Sequence, residues 1–546
     1  MISRIVTAGL AGIDAYPVYV ETDVAEGLPA VTVVGLPSTT VREAKERIRA
    51  AIVNSYFEFP DDRVTINLSP AGSRKEGSYF DLPMALGVLA TVEENEIDAE
   101  ELTEYGIMGE LALDGSVKHI DGALPLVIGL RRSGYRKIML PLENLREVEH
   151  VGGIELYPVR TLRGAVAHFA GTDAIQAAVP SSDDEKEAGE GEHDFFEVKG
   201  QEMAKRAIVI SVAGGHGIYM HGFPGSGKSM LARRIPTIMP KLSYEEMLEI
   251  TMIYSVAGKL SANESMVHGR PFRAPHHSIT RAALIGGERP PKPGEVSLAH
   301  RGVLFLDELP EFSRETLETL RQPVEDGEVI IHRGDLRVTF PCNFILVAAG
   351  NPCRCGYYGS KYRKCKCSLN SVFKYQAKLS GPLIDRIDMH IAVAEIRSGK
   401  LIDAARERGN IGHCMSSKEM REMVKRARDV QMKRYGTGTK LNAHIEGAEI
   451  ERYCKMDDAA TNLLTQAADR FALSMRSVTK LIKVSRTIAD IEGADEITTT
   501  HIAEALQYRA FDRIYSGALP FEGVDRSKSL PLEGKVGTKC SDEVAL

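Results

Sequence analysis

The sequence predicts an α/β fold class, with two α/β domains followed by a helical domain. Short apolar runs alternate with segments of helical periodicity over about the first 170 residues, which is typical of an α/β domain. A second alternation of this kind begins near residue 195. Beyond about residue 399, apolar residues recur at i, i+3 and i+4, as on amphipathic helices. At 546 residues, the chain is long enough for three domains with complete cores.

The composition is that of a water-soluble protein, with 43% hydrophobic and 26% charged residues. No apolar run approaches the roughly 18 residues of a membrane span, and Met1–Arg4 lacks the apolar region of a signal peptide. We therefore expect a cytoplasmic protein with no membrane partner. The formal net charge of −7 argues against a surface that coats nucleic acid everywhere, but it leaves room for a local basic channel.

Residues 1–172 form the first predicted domain. Its predicted strands and helix lie at Val18–Val20, Val31–Val34, Val64–Leu68 and Thr39–Tyr56. The run Ser69–Pro83 has the dense turn residues of a functional or tightly packed loop. Residues 173–194 are expected to be an acidic linker, either a plain spacer or a regulatory contact, because eight acids and one lysine lie between Ser181 and Glu197.

The clearest functional signal is a phosphate-binding loop. The pattern G-x-x-x-x-G-K-[ST] is matched by Gly222, Phe223, Pro224, Gly225, Ser226, Gly227, Lys228 and Ser229. An apolar run precedes this loop and a predicted helix follows it, which is the required context. Glycines let successive backbone N–H groups turn towards phosphate oxygens. Lys228 would then reach the β- and γ-phosphates of a nucleotide, and Ser229 would bind Mg²⁺.

Two later strands end in polar residues that suit the same site. The apolar run from Gly302 to Glu308 predicts a buried parallel strand with two carboxylates at its end. Asp307 would hold Mg²⁺, and Glu308 would orient and polarise the attacking water. Asn351 follows the next predicted strand, Phe344–Ala349, and suits a sensor of the γ-phosphate.

Between these motifs the sequence predicts an inserted loop, a helix and a hairpin. The prolines and glycines of Arg270–Gly294 forbid a long helix. His276 and His277 are adjacent and are expected to point in different directions, which favours packing or a subunit contact over metal binding. An amphipathic helix is predicted at Glu315–Val324, and a hairpin at Glu328–Phe340 has Arg333 and Arg337 at or near its tip.

Residues 354–378 carry seven Lys or Arg, five interleaved aromatic residues and no acids. Cations for phosphates and aromatic platforms for bases suit single-stranded nucleic acid, although a solvated basic loop would share this composition. The candidate DNA-binding residues of this segment and the hairpin are Arg333, Arg337, Arg354, Lys361, Arg363, Lys364 and Lys366.

Four cysteines fall within the same part of the chain, at Cys353, Cys355, Cys365 and Cys367. In a cytosolic protein this clustering suggests Zn²⁺ more than disulfides. The C-x-C spacing is unusual for structural zinc, and reduced thiols on a hairpin are the alternative.

Arg386 lies between Asp385 and Asp388, where it serves either as a salt-bridge partner or as an arginine finger. The five predicted C-terminal helices lie at Ser417–Tyr435, Glu446–Tyr453, Asp457–Phe471, Met475–Glu492 and Thr500–Ala510. The tail beyond about residue 518 is expected to be disordered.

The motifs together identify the chain as a member of the YifB/ComM family of magnesium-chelatase-like AAA+ ATPases. The resemblance covers nearly the whole chain and includes GFPGSGKSMLARR, RPFRAPHH, PGEVSLAHRGVLFLDELPEF, AAGNPCRCGYYG and SGPLIDRID. It implies a Lon-protease-like domain at 1–172, an AAA+ domain at 195–398, a helical lid at 399–518 and a tail at 519–546. A hexameric ring with ATP between subunits is also implied.

The resemblance also assigns roles to single residues. Asn351 is sensor 1, Arg386 acts in trans on the next subunit's γ-phosphate, and Arg476 is sensor 2 of the lid. The hairpin around Arg333 resembles one with which related rings grip DNA, and ComM-like members are implicated in DNA branch migration during natural transformation. Arg354 departs from the proline that is common in the family at this position.

Three other functions use overlapping features. A Lon-like protease needs a serine nucleophile and a lysine base. One alignment places Tyr79 at the serine position and another places Pro125 at the lysine position, so we expect a non-catalytic domain that binds DNA or a partner. Ser78 and Lys75 lie close together in the sequence and are the remaining candidates for such a pair. A magnesium chelatase partner carries D-x-S-x-S, which occurs at Asp525–Ser529 with only seventeen residues following. A nucleotide-switched scaffold would use the same ATP site as a motor.

Overall fold

The computed structural model describes residues 2–179, 193–260, 264–287, 291–333, 336–378, 383–395 and 415–509. Most of the predicted linker 173–194, the first part of the predicted lid and the predicted tail 519–546 lie outside these residues. Within the described residues, no helix is long and apolar enough to cross a membrane. The predicted α/β fold class with a helical C-terminal region is confirmed.

The N-terminal region is built on a seven-stranded sheet of order β3-β4-β2-β1-β5-β8-β9. Its strands, with a separate β6–β7 pair, are β1 Ile2–Ala11, β2 Asp14–Ala25, β3 Ala30–Val34, β4 Arg63–Ser69, β5 Tyr105–Ile107, β6 Glu110–Leu111, β7 Val117–Lys118, β8 Lys137–Pro141 and β9 Glu155–Val159. The helices are α1 Thr39–Asn54, α2 Asp81–Leu89, α3 Ala99–Glu104, α4 Ala123–Arg132, α5 Leu145–Val148 and α6 Leu162–Phe169. The predicted strands and helix are therefore present.

The central region contains a five-stranded sheet of order β11-β12-β15-β10-β16, in which every pairing is parallel. These strands and the hairpin are β10 Ile218–Gly222, β11 Phe272–Arg273, β12 Val303–Leu306, β13 Glu328–Arg333, β14 Leu336–Pro341, β15 Ile345–Gly350 and β16 Met389–Val393. The helices are α7 Glu202–Gly214, α8 Lys228–Ile238, α9 Tyr244–Val256, α10 Arg281–Ile285, α11 Glu295–Leu298, α12 Arg314–Glu318, α13 Arg321–Asp326 and α14 Leu369–Ala377.

The prediction of one helix at Glu315–Val324 is wrong, because the chain forms α12 and α13 with a break between them. Pro323 explains the break. In a continuous helix it would lack the N–H needed to bond Thr319 and would clash with that turn. In α13, Pro323 falls in the first turn, where no N–H bond is required.

Both faces of the central sheet are buried, which explains the continuous apolar run of β12. Val303 and Phe305 pack with α7, α8 and the C-terminal helices, whereas Leu304 and Leu306 pack with the hairpin and the helices α10 and α11. The C-terminal helices are α15 Ser417–Tyr435, α16 Ala448–Tyr453, α17 Asp458–Phe471, α18 Met475–Glu492 and α19 Thr499–Gln507. Their predicted positions are confirmed to within three residues at each end.

The N-terminal region contacts the central region at α9 and at Lys292, which lies shortly before α11. Ser255 Oγ donates a hydrogen bond to Glu147 at 2.9 Å, and Lys292 forms an ion pair with Asp121 at 2.9 Å. Met252 on α9 belongs to the N-terminal apolar core. The two regions therefore share apolar as well as polar contacts.

Candidate nucleotide site and cysteine cluster

The phosphate-binding loop and both polar strand ends meet at one edge of the central sheet. The strands β10, β12 and β15 are neighbours and run parallel, so their carboxyl ends lie side by side. The loop after β10 leads directly into α8, which begins at Lys228. Gly225 and Gly227 have φ angles of +79° and +92°, a region that residues with a Cβ rarely adopt.

Lys228 is the centre of this arrangement. Its ammonium group donates hydrogen bonds to the carbonyl oxygens of Gly222 at 2.8 Å and Phe223 at 3.0 Å, and to Asn351 Oδ1 at 3.1 Å. Burial lowers the pKa of Lys228, against the opposing attraction of nearby carboxylates. The lysine is thus a buried cation, and its hydrogen bonds join the phosphate-binding loop to the end of β15.

Ser229 and Asp307 provide adjacent oxygen atoms. Ser229 Oγ donates to Asp307 Oδ2 at 2.6 Å, and the other carboxylate oxygen accepts from the Glu308 N–H at 2.9 Å. A hydroxyl and a carboxylate beside a phosphate loop form the donor set that Mg²⁺ takes in nucleotide sites. The residues present therefore fit Mg²⁺.

Glu308 has a left-handed backbone, with a φ of +51°. Such a conformation is costly for a residue with a side chain and is concentrated at functional sites. The Glu308 side chain is 52% exposed, and its Oε2 lies 3.7 Å from His277 Nδ1. The glutamate is therefore open to water beside an imidazole.

The two adjacent histidines do not point in different directions, so that prediction is wrong. Their ring centroids lie 4.0 Å apart at an interplanar angle of 35°. His276 Nδ1 lies 2.8 Å from Ser278 Oγ, and the turn that this contact forms places both rings on the same side. His277 consequently lies beside Glu308 in the candidate nucleotide site, a neighbour that the sequence reasoning missed.

The two arginines assigned to catalysis meet at one carboxylate, that of Glu325 on α13. Arg386 Nε lies 3.0 Å from Glu325 Oε1, and its terminal nitrogen donates to Oε2 at 3.0 Å. Arg476, at the start of α18, also pairs with Glu325 Oε1. Asp388, which the sequence offered as a partner of Arg386, pairs with His216 and Lys480.

The predicted hairpin is formed by β13 and β14, with His332 opposite Arg337. Arg337 is exposed. Arg333 is the last residue of β13, and its side chain lies outside the described part of the structure. A Cβ added at Gly12 would lie 2.6 Å from the Thr339 carbonyl oxygen, so the N-terminal region packs closely against this hairpin.

The four clustered cysteines converge, with their sulfur atoms all within 4.8 Å of one another. Cys353 Sγ lies 3.4 Å from Cys355 Sγ and 3.7 Å from Cys365 Sγ, and the last two are 3.5 Å apart. A tetrahedral zinc with Zn–S bonds of about 2.3 Å would have sulfur atoms about 3.8 Å apart. Backbone N–H groups of Tyr358 and Cys367 donate to Cys353 and Cys365. The cluster therefore fits a four-thiolate zinc site.

The cations around this cluster face solvent. All five candidate DNA-binding residues of the segment are exposed: Arg354, Lys361, Arg363, Lys364 and Lys366. Arg363 donates to Tyr357 Oη at 2.8 Å and stacks on that ring at 5.1 Å. A groove of about 460 Å³ beside them is lined by three cations, Arg354, Lys374 and Lys378, and by one acid, Glu311.

Three family models match the chain. "Magnesium chelatase, subunit ChlI" covers residues 194–401, "Subunit ChlI of Mg-chelatase" covers 20–144, and "Magnesium chelatase, subunit ChlI C-terminal" covers 414–509. The competence protein ComM of Haemophilus influenzae is 40% identical over 508 residues, which are 92% of this chain and 96% of the relative. The chain belongs to the YifB/ComM family of magnesium-chelatase-like proteins.

Further relatives fit this membership. The uncharacterized protein YifB of Escherichia coli is 40% identical over 94% of this chain and 98% of its own length. The chloroplastic magnesium-chelatase subunit ChlI-2 of Arabidopsis thaliana is 21% identical over 58% of this chain and 74% of its own length. The YifB/ComM family is therefore related to the AAA+ subunit of magnesium chelatase. The three matched segments overlap the three predicted regions, whose boundaries stay predictions.

Sequence reasoning also missed two contacts in this member of the YifB/ComM family. Glu325 pairs with both arginines, and a Cβ added at Gly356 would lie 2.3 Å from Cγ of Pro224 in the phosphate-binding loop. Glu325 lies in a helix that was assigned only by its periodicity, and its contacts come from Arg386, shortly before β16, and from Arg476 on α18, both distant in sequence. The string LRQPVEDG, which resembles the family, was the available signal for Glu325. No comparable signal marked Gly356, because it lies among other residues that are common in turns.

Proposed function

We propose that this protein is an ATP-hydrolysing AAA+ ring motor that acts on DNA, as a ComM-like branch-migration helicase. The observation that carries the proposal is the direct hydrogen bonding of Lys228 to Asn351 and of Ser229 to Asp307 at one sheet edge. Open α/β sheets bind ligands at the carboxyl ends of their strands. The donors and acceptors at this edge are those that ATP requires.

Each residue of the site has a role that follows from its position. Backbone N–H groups of the loop and the Lys228 ammonium would bind the phosphates, while Ser229 and Asp307 would hold Mg²⁺. Bound Mg²⁺ neutralises charge on the phosphates. Glu308 is placed to orient and polarise a water molecule, since its carboxylate is half exposed. Asn351, already bonded to Lys228, would sense the γ-phosphate.

The two arginines support a ring. Because Arg386 and Arg476 meet at Glu325, they lie on the same surface of the subunit. We assign Arg386 to the site of the neighbouring subunit, where it would act in trans on the γ-phosphate, and Arg476 to the role of sensor 2 of the lid. Glu325 holds the guanidinium groups in place until that phosphate competes for them. Six subunits in a closed ring are the assembly we propose.

DNA is the proposed polymer because exposed cations lie on two elements, one of which also carries exposed aromatic rings such as Tyr362 and Phe373. Arg337 lies on the hairpin, and the cations around the cysteine cluster form a second basic surface. Their side chains can contact phosphates without reading bases, which suits movement along DNA of any sequence. The relative from Haemophilus influenzae bears the name competence protein, which fits this choice.

A structural zinc is the proposed ligand of Cys353, Cys355, Cys365 and Cys367. The sulfur separations of 3.4–3.7 Å are too long for disulfide bonds and close to the edge of a zinc–thiolate tetrahedron. Metal analysis of the purified protein would give about one zinc per chain. A zinc content near zero in protein purified without chelators would contradict this assignment.

Two alternatives receive less support. A protease is disfavoured because Ser78 Oγ donates to Glu110, while the Lys75 ammonium donates to the carbonyl oxygens of Pro70 and Ser73. Neither group is aimed at the other as a nucleophile and base would be. A chelatase-type motor or a nucleotide-switched scaffold for a protein partner would use the same ATP site. The D-x-S-x-S string lies outside the described residues.

The proposal is tested by branch migration of a synthetic DNA junction with a labelled strand, in ATP and Mg²⁺. Wild-type protein should release the labelled strand, and Arg337→Ala should slow the release several-fold without lowering DNA-free ATP turnover. The matched control is Arg314→Ala, because Arg314 is an 89% exposed arginine on α12, which belongs neither to the hairpin nor to the segment around the cysteine cluster. Release that is absent in wild type, or equal in all three proteins, would contradict the proposal.

A further inference from the structure

The cysteine cluster belongs to a segment that contacts the nucleotide site at three points. We call residues 352–378 the cysteine module. Its first contact is with the phosphate-binding loop itself. A Cβ added at Gly356 would lie 2.3 Å from Pro224 Cγ and 2.7 Å from Pro224 Cδ. Since the proline ring is rigid, the module rests directly against the loop with no room for a methyl group.

The second contact is with the end of β15. Asn351, which accepts a hydrogen bond from Lys228, is only two residues before Cys353. Gln376 Nε2 on α14 donates to the Pro352 carbonyl oxygen at 3.0 Å. The helix of the module thus holds the short connection between Asn351 and the first cysteine.

The third contact is with the turn after Glu308. Lys378, which follows α14, donates from Nζ to the Pro310 carbonyl oxygen at 3.0 Å. The cysteine module therefore touches the phosphate loop, the strand of Asn351 and the turn of Glu308. These are the three chain segments that would have to keep their relative positions during ATP hydrolysis.

The part of the cysteine module before α14 has few contacts of its own that would stabilise its conformation. Residues 352–368 form no helix or strand, and only Pro352, Cys353 and Gly356 among them are buried. Ordering such a segment costs backbone entropy at every residue, and so small a buried surface offsets little of that cost. A metal bound by four cysteines from both ends of the segment supplies the missing free energy.

We propose that zinc in the cysteine module holds the nucleotide site in its working geometry, by fixing Gly356 against Pro224 and Asn351 against Lys228. The inference rests on the proposed zinc site and goes beyond it. Because the same module carries the exposed cations, a phosphate backbone bound on its outer face is connected to the nucleotide site through one rigid unit.

The decisive variant is Gly356→Ala, which leaves all four cysteines in place. Its matched control is Gly359→Ala. Both glycines have nearly equal φ angles, +86° and +85°, but a Cβ at Gly359 would meet nothing within 4 Å. The pair therefore shares the backbone strain and differs in the contact with Pro224. A second pair compares Cys365→Ser with Cys454→Ser, since Cys454 is a buried thiol of the helical region.

Zinc content, equilibrium ATP binding and steady-state ATP turnover are measured on the full chain of each variant. We expect Gly356→Ala to keep its zinc. It should either hydrolyse bound ATP about tenfold more slowly or bind ATP about tenfold more weakly than the wild type. Cys365→Ser should lose both zinc and ATP affinity, while Gly359→Ala and Cys454→Ser should match the wild type. Wild-type protein that binds no ATP would instead contradict the proposed function.

Two results would overturn the inference separately from the zinc site. In the first, Cys365→Ser folds, loses its zinc and still binds and hydrolyses ATP like the wild type. In the second, which applies even if Cys365→Ser does not fold, Gly356→Ala is indistinguishable from Gly359→Ala in ATP binding and turnover. A wild-type chain without zinc would remove the zinc site and the inference together.

Discussion

The largely buried side chain of Asp388 joins the helical region to the central sheet and allows a quantitative test of that junction. Its carboxylate lies 3.0 Å from Lys480 Nζ on α18 and 3.1 Å from His216 Nδ1. The side chains of Asp388, Lys480 and His216 are 15%, 10% and 0% exposed. Although burial favours the neutral acid, Lys480 and His216 hold the pKa of Asp388 below its ordinary value.

Replacing Lys480 with Met removes one of the two side chains that pair with this carboxylate and leaves His216 in place. Removing one partner of a buried ion pair costs about 3–5 kcal/mol, and we expect about 3 kcal/mol here because His216 remains. At roughly 2–4 °C per kcal/mol for a domain of 150–250 residues, the midpoint of thermal unfolding should fall by about 6–12 °C. Thermal denaturation at pH 7, followed by circular dichroism, measures this shift.

The control is Lys440→Met in the same helical region. Lys440 pairs with Glu449, but the two side chains are 33% and 39% exposed, so the loss should stay below about 1 kcal/mol. Equal shifts for the two variants would refute the argument that burial makes the Asp388 pair important. Because the folded-state pKa of Asp388 is lowered, its stabilisation is complete above about pH 4 and is lost as the pH falls further.

Three further predictions concern catalysis. Glu308→Gln should bind ATP like the wild type but reduce turnover by about 100-fold or more, as equilibrium binding and phosphate release would show. Subunits with Glu308→Gln keep Arg386, and subunits with Arg386→Ala keep Glu308. If Arg386 acts in trans, mixing the two variants should restore part of the ATP turnover that each lacks alone. A mixture without ATP turnover would contradict that role. His277→Asn should lower turnover about tenfold with an unchanged unfolding midpoint, because its contact with Glu308 is half exposed; unaltered turnover would exclude His277 from the site.

Local patterns were sufficient to predict the framework of the site. The glycines and Lys228 were recognisable because backbone geometry and phosphate charge restrict which residues can occupy a phosphate loop. Asp307 and Asn351 were placed beside them because both follow buried parallel strands, and such strands end at a common edge. These inferences need only the order of residues along the chain.

Contacts between distant segments could not be predicted in the same way. The meeting of Arg386 and Arg476 at Glu325 depends on how α18 packs beside α13, which no short pattern encodes. The stacking of His276 and His277 depends on a turn held by Ser278. The contact of Gly356 with Pro224 depends on the path of an irregular segment between two cysteine pairs. In each case the decisive interaction is tertiary.

The most direct test of the central claim is steady-state ATP hydrolysis by the full chain, without polymer and with single-stranded DNA, duplex DNA or a branched junction. Glu308→Gln serves as the blank. We predict that the branched junction stimulates turnover most, and that the stimulation falls steeply as salt rises because phosphate contacts release counterions. Turnover that is measurable but indifferent to every DNA, at low as well as high salt, would contradict the claim that the ATP site drives movement on DNA.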